Sequence, residues 1–158
     1  MARLTPRFSA DRTVREYTEQ HYLPAAASYR ARVANTGAVG RQIVDWKHDL
    51  GAHWDSVTFG EVKVETIGEQ HVFEVPVHLG NIDPKAVQVE LYADGTGDAG
   101  PSRQVMKCDR QILGASGSYL YGAAVSAFRV AADYTARVIP HCNGVAVPLE
   151  DSRIRWQR

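Results

Sequence analysis

Two cysteines in 158 residues, Cys108 and Cys142, are too few for a disulfide framework, so they read as reduced thiols and the fold must rest on its apolar core. A surplus of charge is missing as well. Eighteen Lys and Arg balance 18 Asp and Glu, which leaves no long-range field to gather nucleic acid or an anionic membrane surface. No apolar run approaches the ~20 residues that a membrane helix needs. Met1-Ala2-Arg3-Leu4-Thr5-Pro6 carries no apolar signal-peptide core, so the expectation is a soluble cytoplasmic protein. What is present, 44% hydrophobic and 23% charged residues, suffices for one ordinary domain or a small domain with an appendage.

The character of the chain changes along its length. Residues 1–54 hold eight Lys or Arg against five Asp or Glu, and residues 55–158 hold ten against 13. In the first part Val14, Tyr17, His21 and Tyr22 share a helical face behind Ser9 and Asp11, predicting a helix over 10–22. Pro24 suits the first turn of a second helix carrying Ala26, Tyr29 and Val33, which Asn35 and Gly37 should end. Val39, Ile43, Trp46, Leu50 and Trp54 then form the apolar stripe of a third helix.

Beyond Trp54 the period becomes two. His71, Phe73, Val75, Val77 and Leu79 share one strand face, and similar alternation marks 62–67, Val87, Val89 and Leu91, Tyr119 to Val125, and Tyr134, Ala136 and Val138. Turn-forming residues separate them at Gly68-Glu69, 80–84, 94–101, 114–117 and Asn143-Gly144. No helix-length segment intervenes, which excludes parallel βαβ units. The expectation is a mainly β protein: an antiparallel immunoglobulin-like β-sandwich of about seven strands (55–158) preceded by two or three helices (1–54).

Motifs of chemistry are sparse. Gly95-Thr96-Gly97-Asp98-Ala99-Gly100 fits the glycine spacing of a dinucleotide turn, but Pro101 leads into an extended segment, 103–107, where that motif needs a helix N-terminus; it reads as a hairpin loop. Asp94 and Asp98 lack the further carboxylates of a calcium loop. His48 and His53 lie about 140° apart on a helix, and the Cys142–His141 neighbourhood has no second pair at zinc spacing, so no metal site is expected. Gly114-Ala115-Ser116-Gly117 misses the nucleophile-elbow pattern. Tyr92, Tyr119, Tyr121 and Trp156 are candidate sugar-stacking rings, set against the more ordinary reading of aromatic residues at strand spacing, which is core packing.

One run carries more. Phe8-Ser9-Ala10-Asp11-Arg12-Thr13-Val14-Arg15-Glu16-Tyr17 resembles the last catalytic-domain helix of the α-glucan phosphorylases. The continuation Thr18-Glu19-Gln20-His21-Tyr22-Leu23-Pro24-Ala25, the segment around Trp46-Lys47 and Val87-Gln88-Val89-Glu90-Leu91-Tyr92 resemble the C-terminal extension of the shorter bacterial branch. The resemblance implies a parent enzyme that moves a glucosyl unit from α-1,4-glucan to phosphate, giving glucose 1-phosphate, with pyridoxal phosphate held by a lysine in an upstream Gly-Thr-Ser-Asn-Met-Lys-like segment. Lys47, Lys63, Lys85 and Lys107 have no such neighbours. The expectation is therefore a chain without catalytic residues or cofactor of its own. It would serve as a structural or subunit-contact cap whose partner is the rest of the phosphorylase chain. Val14, Tyr17 and Tyr22 would form the packing or interface face, with association into homo-oligomers a consequence of leaving that face bare. The alternatives are an accessory α-glucan-binding module and an independent regulatory protein.

Overall fold

In a computed structural model, which describes residues 10–95 and 100–157, the change of period at Trp54 separates helix from sheet. Helix α1 (Ala10–Tyr17) opens with Asp11 in its first turn and continues through a π-helical turn, Thr18–Tyr22. The Thr18 hydroxyl donates to the Val14 carbonyl at 2.8 Å, a back-bond that competes with the helical ladder. The helical span α2 (Leu23–His53) is broken internally. Ala34 is extended (ψ 154°), and Asn35, Thr36 and Gly37 take φ of 51°, 56° and 78°. Asn and Gly tolerate this left-handed region best, so the predicted stop at Asn35 and Gly37 is where the helix breaks. Ser9 and the loop residues Thr96, Gly97, Asp98 and Ala99 lie outside the described residues. No described helix is long and apolar enough to cross a membrane.

The chain divides into two compact units at Val44/Asp45. In the first, Val14, Tyr17, Tyr22, Leu23, Tyr29 and Val33 are all at least half exposed, so the stripe that defines these helices is bare. Among its described residues the second unit contains the end of α2 and nine strands: β1 (Thr58–Phe59), β2 (Lys63–Ile67), β3 (Gln70–His78), β4 (Val87–Ala93), β5 (Ser102–Val105), β6 (Lys107–Gln111), β7 (Ser118–Ser126), β8 (Thr135–Pro140) and β9 (Arg155–Trp156). One sheet runs β1-β3-β7-β6 with β2 also on β3, the other β5-β4-β8-β9, and every pairing is antiparallel.

Alternation builds the core as the sequence requires. Phe73, Val75 and Val77 of β3 and Tyr121 and Val125 of β7 meet Val87, Val89 and Leu91 of β4 and Ala136 and Val138 of β8 in one cluster. Leu50 near the end of α2 and Trp54 just after it join the same cluster, so the end of this helix and the turn that follows close part of it. The extended segment expected over 103–107 is divided between the sheets. β5 belongs to one, β6 to the other, and the buried Met106 between them donates its amide to Val89 at 2.9 Å. β6 escaped notice because all five of its residues are exposed and it has no alternation to read. β1 and β9 are two-residue strands, too short for any period.

Candidate functional site

The face of β4 that turns away from the core carries Gln88, Glu90 and Tyr92, opposite in phase to Val87, Val89 and Leu91. Register places Arg137 of β8 opposite Glu90, Arg103 of β5 opposite Tyr92, and Trp156 of β9 opposite Arg137. Four strands thus bring two arginines, a carboxylate and two aromatic rings to one outer surface.

Glu90 is the unusual member, because its side chain is only 4% exposed although it points away from the core. A buried carboxylate survives when its charge and lone pairs are met. Arg137 supplies both, donating from Nε to Oε1 at 2.5 Å and from Nη2 to the same oxygen, while Gln88 Nε2 approaches Oε2 at 3.4 Å. The guanidinium also lies 4.3 Å from the centroid of Tyr92 and 5.0 Å from that of Trp156, whose rings meet edge to face at 5.4 Å. Such cation–π contacts contribute on the order of 0.5–2 kcal/mol each. Arg137 is thus fixed by a carboxylate and two rings.

Beside this cluster is a cleft of about 620 Å³. Gln88, Glu90, Arg137 and Ile139 line it from the sheet, Arg103 from β5, and residues 141–154 from the other side. That last segment has little regular structure but many tethers. The His141 amide donates to Ala86 at 2.9 Å, Glu150 accepts from the Ala146 amide at 2.9 Å, and the Glu150 carbonyl accepts from Lys47 Nζ at 2.7 Å. The buried Asp151 carboxylate accepts from the Arg153 amide at 3.1 Å and from Arg153 Nη1 at 2.5 Å. Val147–Pro148 is cis. Tethered by these hydrogen bonds, an irregular segment can be held against a sheet as a wall.

Residues 54–158 match the glycogen phosphorylase C-terminal domain. The chain belongs to that family. It is 32% identical to maltodextrin phosphorylase of Thermococcus litoralis over 89 residues, 56% of this chain and 10% of that protein. Glycogen phosphorylase of Mycobacterium tuberculosis is 27% identical over 93 residues, 55% of this chain and 11% of that protein. The chain thus matches about a tenth of the length of these curated phosphorylase relatives.

Within this phosphorylase C-terminal domain the four candidate rings do not form one cluster. Tyr92 and Trp156 stand together on the outer face just described, whereas Tyr119 and Tyr121 lie on the inner face of the other sheet, opposite Val77 and Val75. Tyr121 is 3% exposed and, among the described residues, its hydroxyl has no partner beyond the neighbouring Cys108 thiol. Burial raises its ionisation well above the ordinary phenol range, and the Cys108 thiol and Tyr119 push it further the same way. His71, the buried histidine of β3, is fully satisfied. A carbonyl can only accept, so Nε2 donates to Arg129 O (3.1 Å) and Nδ1 accepts from the Thr66 hydroxyl (2.8 Å). Among the described residues no group of three or more His, Cys, Asp and Glu side chains could hold a metal ion. Val14, Tyr17 and Tyr22 are exposed at 64%, 54% and 66% in the first unit, where Tyr17 also stacks on His21 at 5.4 Å.

Sequence reasoning weighed the rings and missed Gln88, Glu90, Arg103, Arg137 and the wall 141–154. A signal was present, since Glu90 and Arg137 are charges interrupting apolar alternations. Their pairing needs the β4–β8 register, which alternation does not supply.

Proposed function

We propose that this chain is the C-terminal portion of an α-glucan phosphorylase and acts as a cap on the enzyme rather than in its chemistry. The carrying observation is the match of residues 54–158 to the phosphorylase C-terminal domain, in a chain that spans about a tenth of its relatives. Residues 1–54 then form the end of the catalytic body and a linking helix, and residues 55–158 an immunoglobulin-like sandwich. The parent transfers glucosyl units from α-1,4-glucan to phosphate in the cytoplasm. Pyridoxal phosphate supplies proton transfer at the reacting phosphate when bound, and it requires a sheltered lysine. Lys47, Lys63, Lys85 and Lys107 are all exposed, and Lys47 is committed to the Glu150 carbonyl, so they do not fit that role. The bare stripe through Val14, Tyr17 and Tyr22 supports a covering partner, either the catalytic body or a second subunit.

The cap reading is preferred to a glucan-binding module on the geometry of the rings. Stacking a sugar requires an open flat face, and Tyr92 and Trp156 are edge to face with Arg137 over both. Titration with maltoheptaose, followed by tryptophan fluorescence, should give no saturable change. The deciding experiment compares the full-length phosphorylase with a version ending at position 54. Loss of thermal stability or of subunit assembly, with kcat per folded enzyme kept within about twofold, is the expected result; each tenfold in kcat would correspond to about 1.4 kcal/mol at the transition state. Loss of kcat with stability and assembly intact would refute the reading.

A further inference from the structure

We infer that the cleft between the outer face of β4–β8 and residues 141–154 is a binding site for a small hydroxylated anion, a compound carrying one carboxylate or phosphate on a short polyol chain. Its size comes first. About 620 Å³ lies in the middle of the range of roughly 300–1,000 Å³ that small-molecule sites occupy.

The chemistry follows from counting what is already committed. Three arginines line the cleft, Arg103, Arg137 and Arg153. Arg137 is neutralised by Glu90 and Arg153 by Asp151. Arg103 is exposed and makes no ion pair among the described residues, so one guanidinium with five N–H donors faces the cleft uncommitted. Planar, bidentate donors of this kind match carboxylate and phosphate oxygens. An anion of one group, rather than several, fits a single surplus charge.

The rest of the lining is suited to hydroxyls. Glu90 is paired with Arg137 at Oε1, while Oε2 has only the long 3.4 Å approach of Gln88 and retains capacity to accept. Asn143 and Ser152 add groups that both donate and accept on the opposite wall. The acceptor is also held in place before any ligand arrives. Arg137 cannot swing away from Glu90 without leaving Tyr92 and Trp156, so little ordering is required on binding.

The test is calorimetric titration of the whole chain with gluconate and with glycerol 3-phosphate, alongside sorbitol, glycerol and inorganic phosphate. Saturable binding of gluconate, glycerol 3-phosphate or both is expected, and which of them binds identifies the anionic group. Arg103→Ala should weaken it about tenfold or more, the loss typical of a charge-assisted hydrogen bond, and Arg103→Lys should retain part. The thermal midpoint should not move, because Arg103 is exposed and makes no ion pair among the described residues. If Arg103→Ala fails to fold, Arg103→Gln and the expected weakening of wild-type binding by salt decide in its place. Absence of binding by both probes, equal affinity in Arg103→Ala, or equal affinity for sorbitol or bare phosphate would overturn the assignment.

Discussion

Replacing Arg137 by Met removes the cation that pairs with Glu90 while keeping an unbranched chain against Tyr92 and Trp156. With Arg137 in place the Glu90 side chain is 4% exposed, and the contact that remains without it is the long one from Gln88. Breaking a buried pair from one side costs about 3–5 kcal/mol, because a desolvated charge remains. For a chain of this length that lowers the thermal midpoint by about 6–20 °C. Glu90→Leu should cost less, about 1.5–3 kcal/mol, the worth of hydrogen bonds to a charged group. Its orphan, Arg137, is 12% exposed, borders the cleft and still lies over both rings. The double variant Glu90→Leu/Arg137→Met leaves no charge behind, and apolar replacement of a buried pair is roughly neutral, so it should lie within about 2 kcal/mol of wild type. The coupling energy then reaches at least about 2.5 kcal/mol. Urea unfolding of the four proteins followed by tryptophan fluorescence measures it, since Trp156 stands beside the pair. A coupling below about 1 kcal/mol, the value of a solvent-exposed pair, would refute the reasoning.

Gly117→Ala should destabilise by about 2–4 kcal/mol, combining left-handed strain with overpacking: φ is 72° and a Cβ would fall 2.4 Å from the Gly80 carbonyl oxygen. Gly114→Ala has φ 78° with open space around it and should show the backbone cost alone, about 1–2 kcal/mol, so equal losses in urea unfolding would contradict the clash. Tyr121 ionises later in the folded protein than in the unfolded chain, so its contribution to stability is intact below about pH 10 and falls as pH rises beyond it. Tyr121→Phe should flatten that alkaline decline in denaturation midpoints and cost little near neutrality, since the hydroxyl's neighbour is a thiol, a weak hydrogen-bonding group; an unchanged slope would count against it. Leu50→Ala, at a site 1% exposed in the core, should cost about 2–5 kcal/mol. A change under about 1 kcal/mol in chemical denaturation would mean the helix end is not part of the core.

The elements that could be read in advance are those whose side chains obey a local period. β3 shows its inner face directly, His71, Phe73, Val75 and Val77, because the opposite residues are polar or half-exposed. The break in α2 was legible because Asn35 and Gly37 are the residues that accept a positive φ at least cost. β6 was hidden for the converse reason, being exposed at every position. The outer-face cluster was hidden because its parts are dispersed at 88–92, 103, 137 and 156, and only the register of four strands collects them. Residues 141–154 carry no period, and their tethers run to distant positions such as Ala86 and Lys47. The resemblance carried by Phe8 to Tyr17 and the later segments pointed to the family that the match over 54–158 shows.

One carbonyl oxygen, that of Ala86, accepts both the Trp46 indole at 3.1 Å and the His141 amide at 2.9 Å. The helix end and the near lip of the cleft therefore share an anchor a single atom wide. A displacement of Ala86 would therefore disturb two hydrogen bonds at once, one to the helix and one to the first residue of the irregular wall.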